Sequence, residues 1–186
     1  MKKLNQYINE KLILKKRKKT EHTLFPKTRS ELANMIKDEV KKNGWECDLN
    51  HIDVSQIKNI SHLFAGELTL NYGLKEFNGD ISEWDVSNVT DMVGTFNNSY
   101  FNGDLSSWKL DNVKDAQNLF SGNSKFNNPS ICDWDVSNIK TCRDMFSNTK
   151  FEEDLSLWDM PNVSKEMKRT IFNSTPNEKK LDKYPQ

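Results

Sequence analysis

The chain has 186 residues, of which 35% are hydrophobic and 29% charged, with a mean hydropathy of −0.81. That length suits one domain with a tail, and the composition excludes a large globular core and any run approaching the roughly 20 apolar residues of a membrane span. The formal net charge is zero, yet residues 1–44 carry 13 Lys/Arg against 5 Asp/Glu while the rest carries 14 against 22, so the two parts are electrostatic opposites.

Residues 1–24 read as a basic amphipathic extension. Leu4, Tyr7, Ile8 and Leu12 recur at helical spacing, which predicts a short helix over Asn5 to Leu14. Lys15, Lys16, Arg17, Lys18 and Lys19 come next as a basic docking segment. Such a cluster suits an acidic protein face, anionic lipid or nucleic acid, or it is a solvated tail, or one folded back on the acidic solenoid. Nucleic acid is not favoured, because no aromatic residue interleaves the basic ones and no nucleic-acid-binding motif is present. The segment lacks the 7–15-residue apolar stretch and small-residue cleavage site of a secretory signal, so a cytoplasmic location is expected.

Residues 25–44 read as a capping helix. Thr28 and Glu31 have capping-box spacing, Leu32, Ile36 and Val40 mark one apolar face, and Lys41, Lys42 and Gly44 mark the end. This predicts an amphipathic helix over 29–43, laid over the first coil of a repeat array.

Residues 45–175 repeat themselves. Trp84, Trp108, Trp134 and Trp158 lie 24, 26 and 24 residues apart. Phe77, Phe101 and Phe151 stand seven residues before three of them, with Phe126 displaced by one. Val89, Val113, Ile139 and Val163 stand five after, and Phe96, Phe120 and Phe146 twelve after. The Trp158 copy has one extra residue, so Ile171 and Phe172 take that last role. A degenerate first copy has Trp45 in the Phe position and Ile52 in the Trp position, with Ile57, Ile60 and Phe64 after them; the insertion AGELTLNYGLKE then separates it from the second.

Units this short cannot bury their own apolar face and must stack. D-I-S-x-W reads as a short strand. Met92 and Phe96, four apart, read as one side of a helical turn that Ser87 or Asn88 caps. The expected fold is therefore an α/β solenoid, a leucine-rich-repeat-like stack of five strand-plus-helix coils behind an N-terminal capping helix. Columns of Phe and Trp fill its core, and a polar tail over 176–186 frays.

The pattern F-N-x-D-[IL]-S-x-W-D-V-S-N-V-x-x-M-x-x-x-F resembles the BspA-type leucine-rich repeat of mycoplasma surface proteins and of many phage and prophage proteins. The resemblance covers residues 45–175. It implies a repeat solenoid with a helix ahead of the repeats and a role in protein interaction or adhesion.

Little in the chain reads as chemistry. Cys47, Cys132 and Cys142 are odd in number and show no C-x-x-C spacing, so packed or idle thiols are expected. His51 and Cys132 fall in copies too far apart to pair at roughly 4.8 Å per coil, and no phosphate-binding, zinc-protease or nucleophile-elbow motif occurs. No catalytic residue, metal or cofactor is expected. Asp48, Asp80, Asp104, Ser130 and Asp154 form a row four residues before the Trp position. This row reads either as a calcium ladder or as side chains bonded to turn backbone, and Ser130 interrupts the former.

The residues flanking each Trp vary from copy to copy. Glu83, Asp85, Ser107, Lys109, Asp133, Asp135, Leu157 and Asp159 read as an exposed, mainly acidic stripe that suits a basic protein partner. Leu68, Leu70, Tyr72 and Leu74 of the insertion add apolar contacts. The expectation is a monomeric, non-enzymatic interaction module, phage-encoded or otherwise intracellular. The alternatives are a virion-associated or cell-surface adhesion protein and, third, a nucleic-acid accessory protein.

Overall fold

The computed structural model describes residues 20–66, 73–173 and 175. The basic cluster at 15–19, the insertion residues Leu68, Leu70 and Tyr72, and the tail from 176 lie outside the described residues.

Helix α1 spans Arg29–Asn43, with Leu32, Ala33, Ile36 and Val40 buried. Thr28 caps it, its Oγ1 accepting from the Glu31 N–H at 3.2 Å. Glu31 does not close the box on Thr28; its carboxylate accepts from the Lys27 N–H at 2.8 Å instead. Gly44, at φ +88°, ends the helix and donates to the Val40 carbonyl.

Beyond α1, the expected α/β solenoid of strand-plus-helix coils does not form. Among the described residues there are two α-helices, α1 and the six-residue α2 over Lys165–Thr170, with one 3₁₀ turn at Pro129–Ile131 and no β-strand. In place of strand ladders, consecutive copies have isolated parallel bridges, Asp48 with Asp80, Asn59 with Asp91, Asp91 with Asp115 and Asp115 with Thr141.

The strand reading fails because each D-I-S-x-W segment folds back on itself. The Trp84, Trp108, Trp134 and Trp158 N–H groups donate to the carbonyls three residues earlier, at 3.0–3.2 Å. Asp80, Asp104 and Asp154 each accept from the N–H two residues on, at 2.8–2.9 Å. An aspartate that bonds its own backbone in this way competes with extended structure.

The helix reading fails ten residues after the Trp position. His62, Gly94, Asn118 and Asp144 stand there in successive copies, with φ between +54° and +57°. Left-handed backbone admits Gly, Asn and Asp most readily and interrupts any α-helix. Met92 and Phe96 still reach the same core, but across a pair of turns: Thr95 donates to the Met92 carbonyl and Asn97 to that of Gly94. The Trp158 copy has Lys168 at this offset, and here alone the segment is helical, capped by Ser164.

Alternating backbone directions line up the remaining N–H groups. Met92, Gly94, Phe96 and Asn98 donate to the carbonyls of Asp115, Gln117, Leu119 and Ser121, at 2.8–2.9 Å. Ala116, Asn118, Phe120 and Gly122 donate in the same way to Thr141, Arg143, Met145 and Ser147. All these bonds run toward the C-terminus, so the row needs different treatment at each end. At the first copy, Arg29 of α1 donates to the Ser61 carbonyl at 2.8 Å and also contacts Ser61 Oγ. At the last, the row ends on α2 and the turn after it, where Phe146 donates to Ile171.

Aromatic rings fill the interior. Phe64, Phe96, Phe120, Phe146 and Phe172 stack in succession with centroids 5.4–5.6 Å apart and planes within 13°. Trp84 stacks on Trp108, and Trp134 on Trp158, at 6.4 Å. Each indole N–H donates to a carbonyl of the preceding copy, Leu49, Ile81, Leu105 or Ile131, so these buried donors are all paired. Trp45 departs from its column: it is 41% exposed, whereas Phe77, Phe101, Phe126 and Phe151 are fully buried.

A Cβ at Gly94 would stand 2.7 Å from the His62 ring on backbone of φ +57°. Gly94→Ala should therefore lower stability in urea unfolding by about 1–2 kcal/mol. In a helical coil the same change would add about 1 kcal/mol.

Candidate partner-binding face

The Trp ladder that builds the core also sets which side chains face out. With each Trp buried, the residues on either side are turned to solvent: Glu83 and Asp85, Ser107 and Lys109, Asp133 and Asp135, Leu157 and Asp159 are all exposed. Leu157 is 77% exposed and is the apolar member of the row. Leu74, expected to add apolar contact there, is buried in the core instead.

Part of this acidity serves the fold. Asp85 accepts from the Ser87 N–H at 3.1 Å and Asp135 from the Ser137 N–H at 3.0 Å. Hydrogen bonds from the side chain and backbone of Ser137 hold the Asp135 carboxyl below the ordinary aspartate value. Asp53 accepts from Ser55 in the first copy. The row four residues before Trp is likewise engaged with backbone, Asp48 accepting from Asn50, so the turn-bonding reading accounts for its carboxylates. In the Trp134 copy Asn128 takes over, accepting from the Ser130 N–H, while Ser130 Oγ accepts from Leu105 N–H of the copy before.

Two further rows connect the copies. Asn88, Asn112, Asn138 and Asn162, four residues after each Trp, donate to the preceding copy's carbonyls at Ser55, Ser87, Asp111 and Ser137, at 2.8–3.0 Å. Their recurrence is plain in the sequence, but it points to these bonds between copies and not to the helix cap expected of Asn88. Asn59, Asp91 and Asp115 form a second polar row seven residues after the Trp position, and Asn59 Nδ2 donates to Asp91 Oδ2 at 2.7 Å.

Between the Trp84 and Trp108 copies the exposed row opens into a groove of about 620 Å³. Glu83, Asp85, Asp104 and Asp111 line it with Ser107 and Lys109, which sets four carboxylates against one ammonium. In the first copy the equivalent row is covered. The N–H groups of Thr23 and Leu24 donate to the His51 carbonyl, Asp53 N–H donates to the Leu24 carbonyl, and His22 Nδ1 lies 3.7 Å from Asp53.

The thiols are held protonated. Burial pushes Cys142 up to about 12, and burial together with the carboxylates of Glu153, Asp133 and Asp154 pushes Cys132 up to about 11. Among the described residues no three His, Cys, Asp or Glu side chains gather to hold a metal ion. No helix among them is long and apolar enough to cross a membrane.

Fold and face together define a protein of stacked, turn-built copies with aromatic columns inside and one variable acidic row outside. The chain belongs to the family described as Mycoplasma protein of unknown function, DUF285, which matches residues 30–130 and again 69–184. No curated protein and no solved structure matches it.

Asp135→Ala should cost about 0.5 kcal/mol at neutral pH, the low end for an exposed hydrogen bond. Asp135→Asn keeps the acceptor and should lose less. Because folding lowers this pKa, the aspartate's ionic contribution is full above the usual value near 4 and is lost as pH falls through the lowered one. Urea unfolding of the unaltered chain and both variants between pH 7 and pH 2 checks this, with the acid limb shallower in both variants because neither carries the titrating carboxyl.

Proposed function

We propose that the chain is a non-enzymatic interaction module that holds a basic protein partner along the exposed row from Glu83 to Asp159. The observation that carries this reading is the contrast between the two sides of each Trp position. The buried columns keep one chemistry from copy to copy, while the exposed neighbours change from Glu and Asp to Ser and Lys, to Asp, and to Leu and Asp. Packing explains a constant interior; it asks nothing of the exterior beyond polarity. The groove beside Glu83 gives the row a concave stretch with an excess of negative charge, and such a surface favours a positively charged counterpart.

A cytoplasmic location, a phage or prophage setting and a monomeric state belong to this same proposal. The BspA-type resemblance of the repeat motif supports an interaction role, and it also favours a second reading as a cell-surface or virion-associated adhesion component. Nucleic-acid binding through the basic cluster at 15–19 stands third, and steep salt dependence on generic DNA or RNA would mark it.

The test is capture from native-host lysate with three full-length baits. These are the unaltered chain, a face variant carrying Glu83→Gln, Asp85→Asn, Asp133→Asn and Asp135→Asn, and a leader variant with all five residues 15–19 changed to Gln. Asparagine keeps the turn acceptors of Asp85 and Asp135, so the face variant loses charge without losing its turns. A single soluble partner that is retained by the unaltered and leader baits and lost from the face bait is the expected result. A partner lost only from the leader bait would place recognition on the basic cluster and contradict the reading.

A further inference from the structure

The described chain begins at Thr20, on this same face. Leu24 pairs with Ile52, Thr23 donates to the His51 carbonyl, and Thr20 N–H reaches Glu83 Oε2 at 3.4 Å. Traced backwards from Leu24, the chain covers the exposed row of the first copy and arrives at the acidic row of the second. The five residues immediately before Thr20 are Lys15, Lys16, Arg17, Lys18 and Lys19.

We propose that residues 15–19 occupy the acidic groove of their own chain and the exposed row beyond it as far as Asp133, as an internal competitor for the basic partner. Three observations agree on this occupant. The first is continuity, since Thr23 and Leu24 already form backbone bonds along the equivalent row of the first copy. The second is charge: residues 15–19 are five consecutive cations, and the groove is lined by Glu83, Asp85, Asp104 and Asp111 with Lys109 as its one cation. The third is reach. Five extended residues span about 17 Å, and neighbouring copies are separated by 5.4 Å at the Phe column and 6.4 Å at the Trp column. From Glu83 that length passes Ser107 and reaches Asp133 and Asp135.

The groove gives the lysines no deep pocket, so the contact is electrostatic and weakens with salt. A segment held this way raises the threshold for an external basic ligand without blocking it, because its local concentration is set by a short tether. The competition with a partner rests on the function proposed above; the docking itself does not.

The test is zero-length carbodiimide coupling of the full-length chain, mixed from ¹⁴N- and ¹⁵N-labelled protein and mapped by mass spectrometry. Expected are links within one chain from Lys15, Lys16, Lys18 or Lys19 to Glu83, Asp85, Asp104, Asp111 or Asp133, reduced at least about fivefold in high salt, where screening is nearly complete. Links between chains, links confined to residues off this face, or no links would overturn the proposal. In a second measurement, a fluorescent peptide of residues 11–20 should bind the full-length leader variant at least about tenfold more tightly than the unaltered chain. Equal binding to both would also overturn it. If the links are absent while the face variant still loses its partner, the docking falls and the proposed function stands. If the links are present while the face variant keeps its partner, the function falls and the docking stands.

Discussion

The structure depends on one kind of backbone constraint, left-handed residues at fixed places in successive copies: His62, Gly94, Asn118 and Asp144 at one, and Asn98, Gly122 and Asn148 at a second four residues after the last three of these. At His62, Gly94, Asn118 and Asp144 the chain reverses its local hand, and alternate N–H groups then point at the next copy. Without that reversal these donors would be spent within their own coil, as they are in α2. With it, each of the first three copies gives four backbone bonds to its successor and lays its Phe ring on the next at 5.4–5.5 Å. Ring stacking and burial supply most of the favourable free energy. The ladder fixes the register in which the rings meet.

A one-directional ladder leaves an acceptor row at one end and a donor row at the other, and the chain treats them differently. Arg29 brings a charged donor to the Ser61 carbonyl and ties α1 to the first copy. At the far end the extra residue of the Trp158 copy releases the chain into a helix, whose own bonds consume the donors. The function proposed for the exposed row comes from the same geometry. Trp84, Trp108, Trp134 and Trp158 are each pinned by an indole bond to the preceding copy, so their neighbours are pinned facing out, whatever their chemistry.

The buried columns were legible because periodicity alone determines them, and Trp84 through Trp158 and Phe96 through Phe146 are all buried. The conformation of the coils was not. A spacing of four between Met92 and Phe96 fits a helical turn and equally a pair of turns about Gly94. The signal that separates the two was present, since Gly, Asn and Asp occupy that one offset in three copies, but it is visible only when the copies are aligned on residues that do not pack. Asp80 and Asp104 misled in the opposite direction: Asp-Ile-Ser and Asp-Leu-Ser alternate like a strand, yet the aspartate turns the chain within two residues. The exposed row was found by its variation. Its cover in the first copy was not, because contact between Leu24 and Ile52 leaves no mark in spacing.

Scalar couplings across hydrogen bonds, measured by NMR on the ¹³C,¹⁵N-labelled full-length chain, test the ladder most directly. The account predicts that the Gly94 amide nitrogen couples to the Gln117 carbonyl carbon, and Asn118 to Arg143. Couplings from Gly94 to Thr90 and from Asn118 to Lys114, each four residues back, would show helical coils and contradict it.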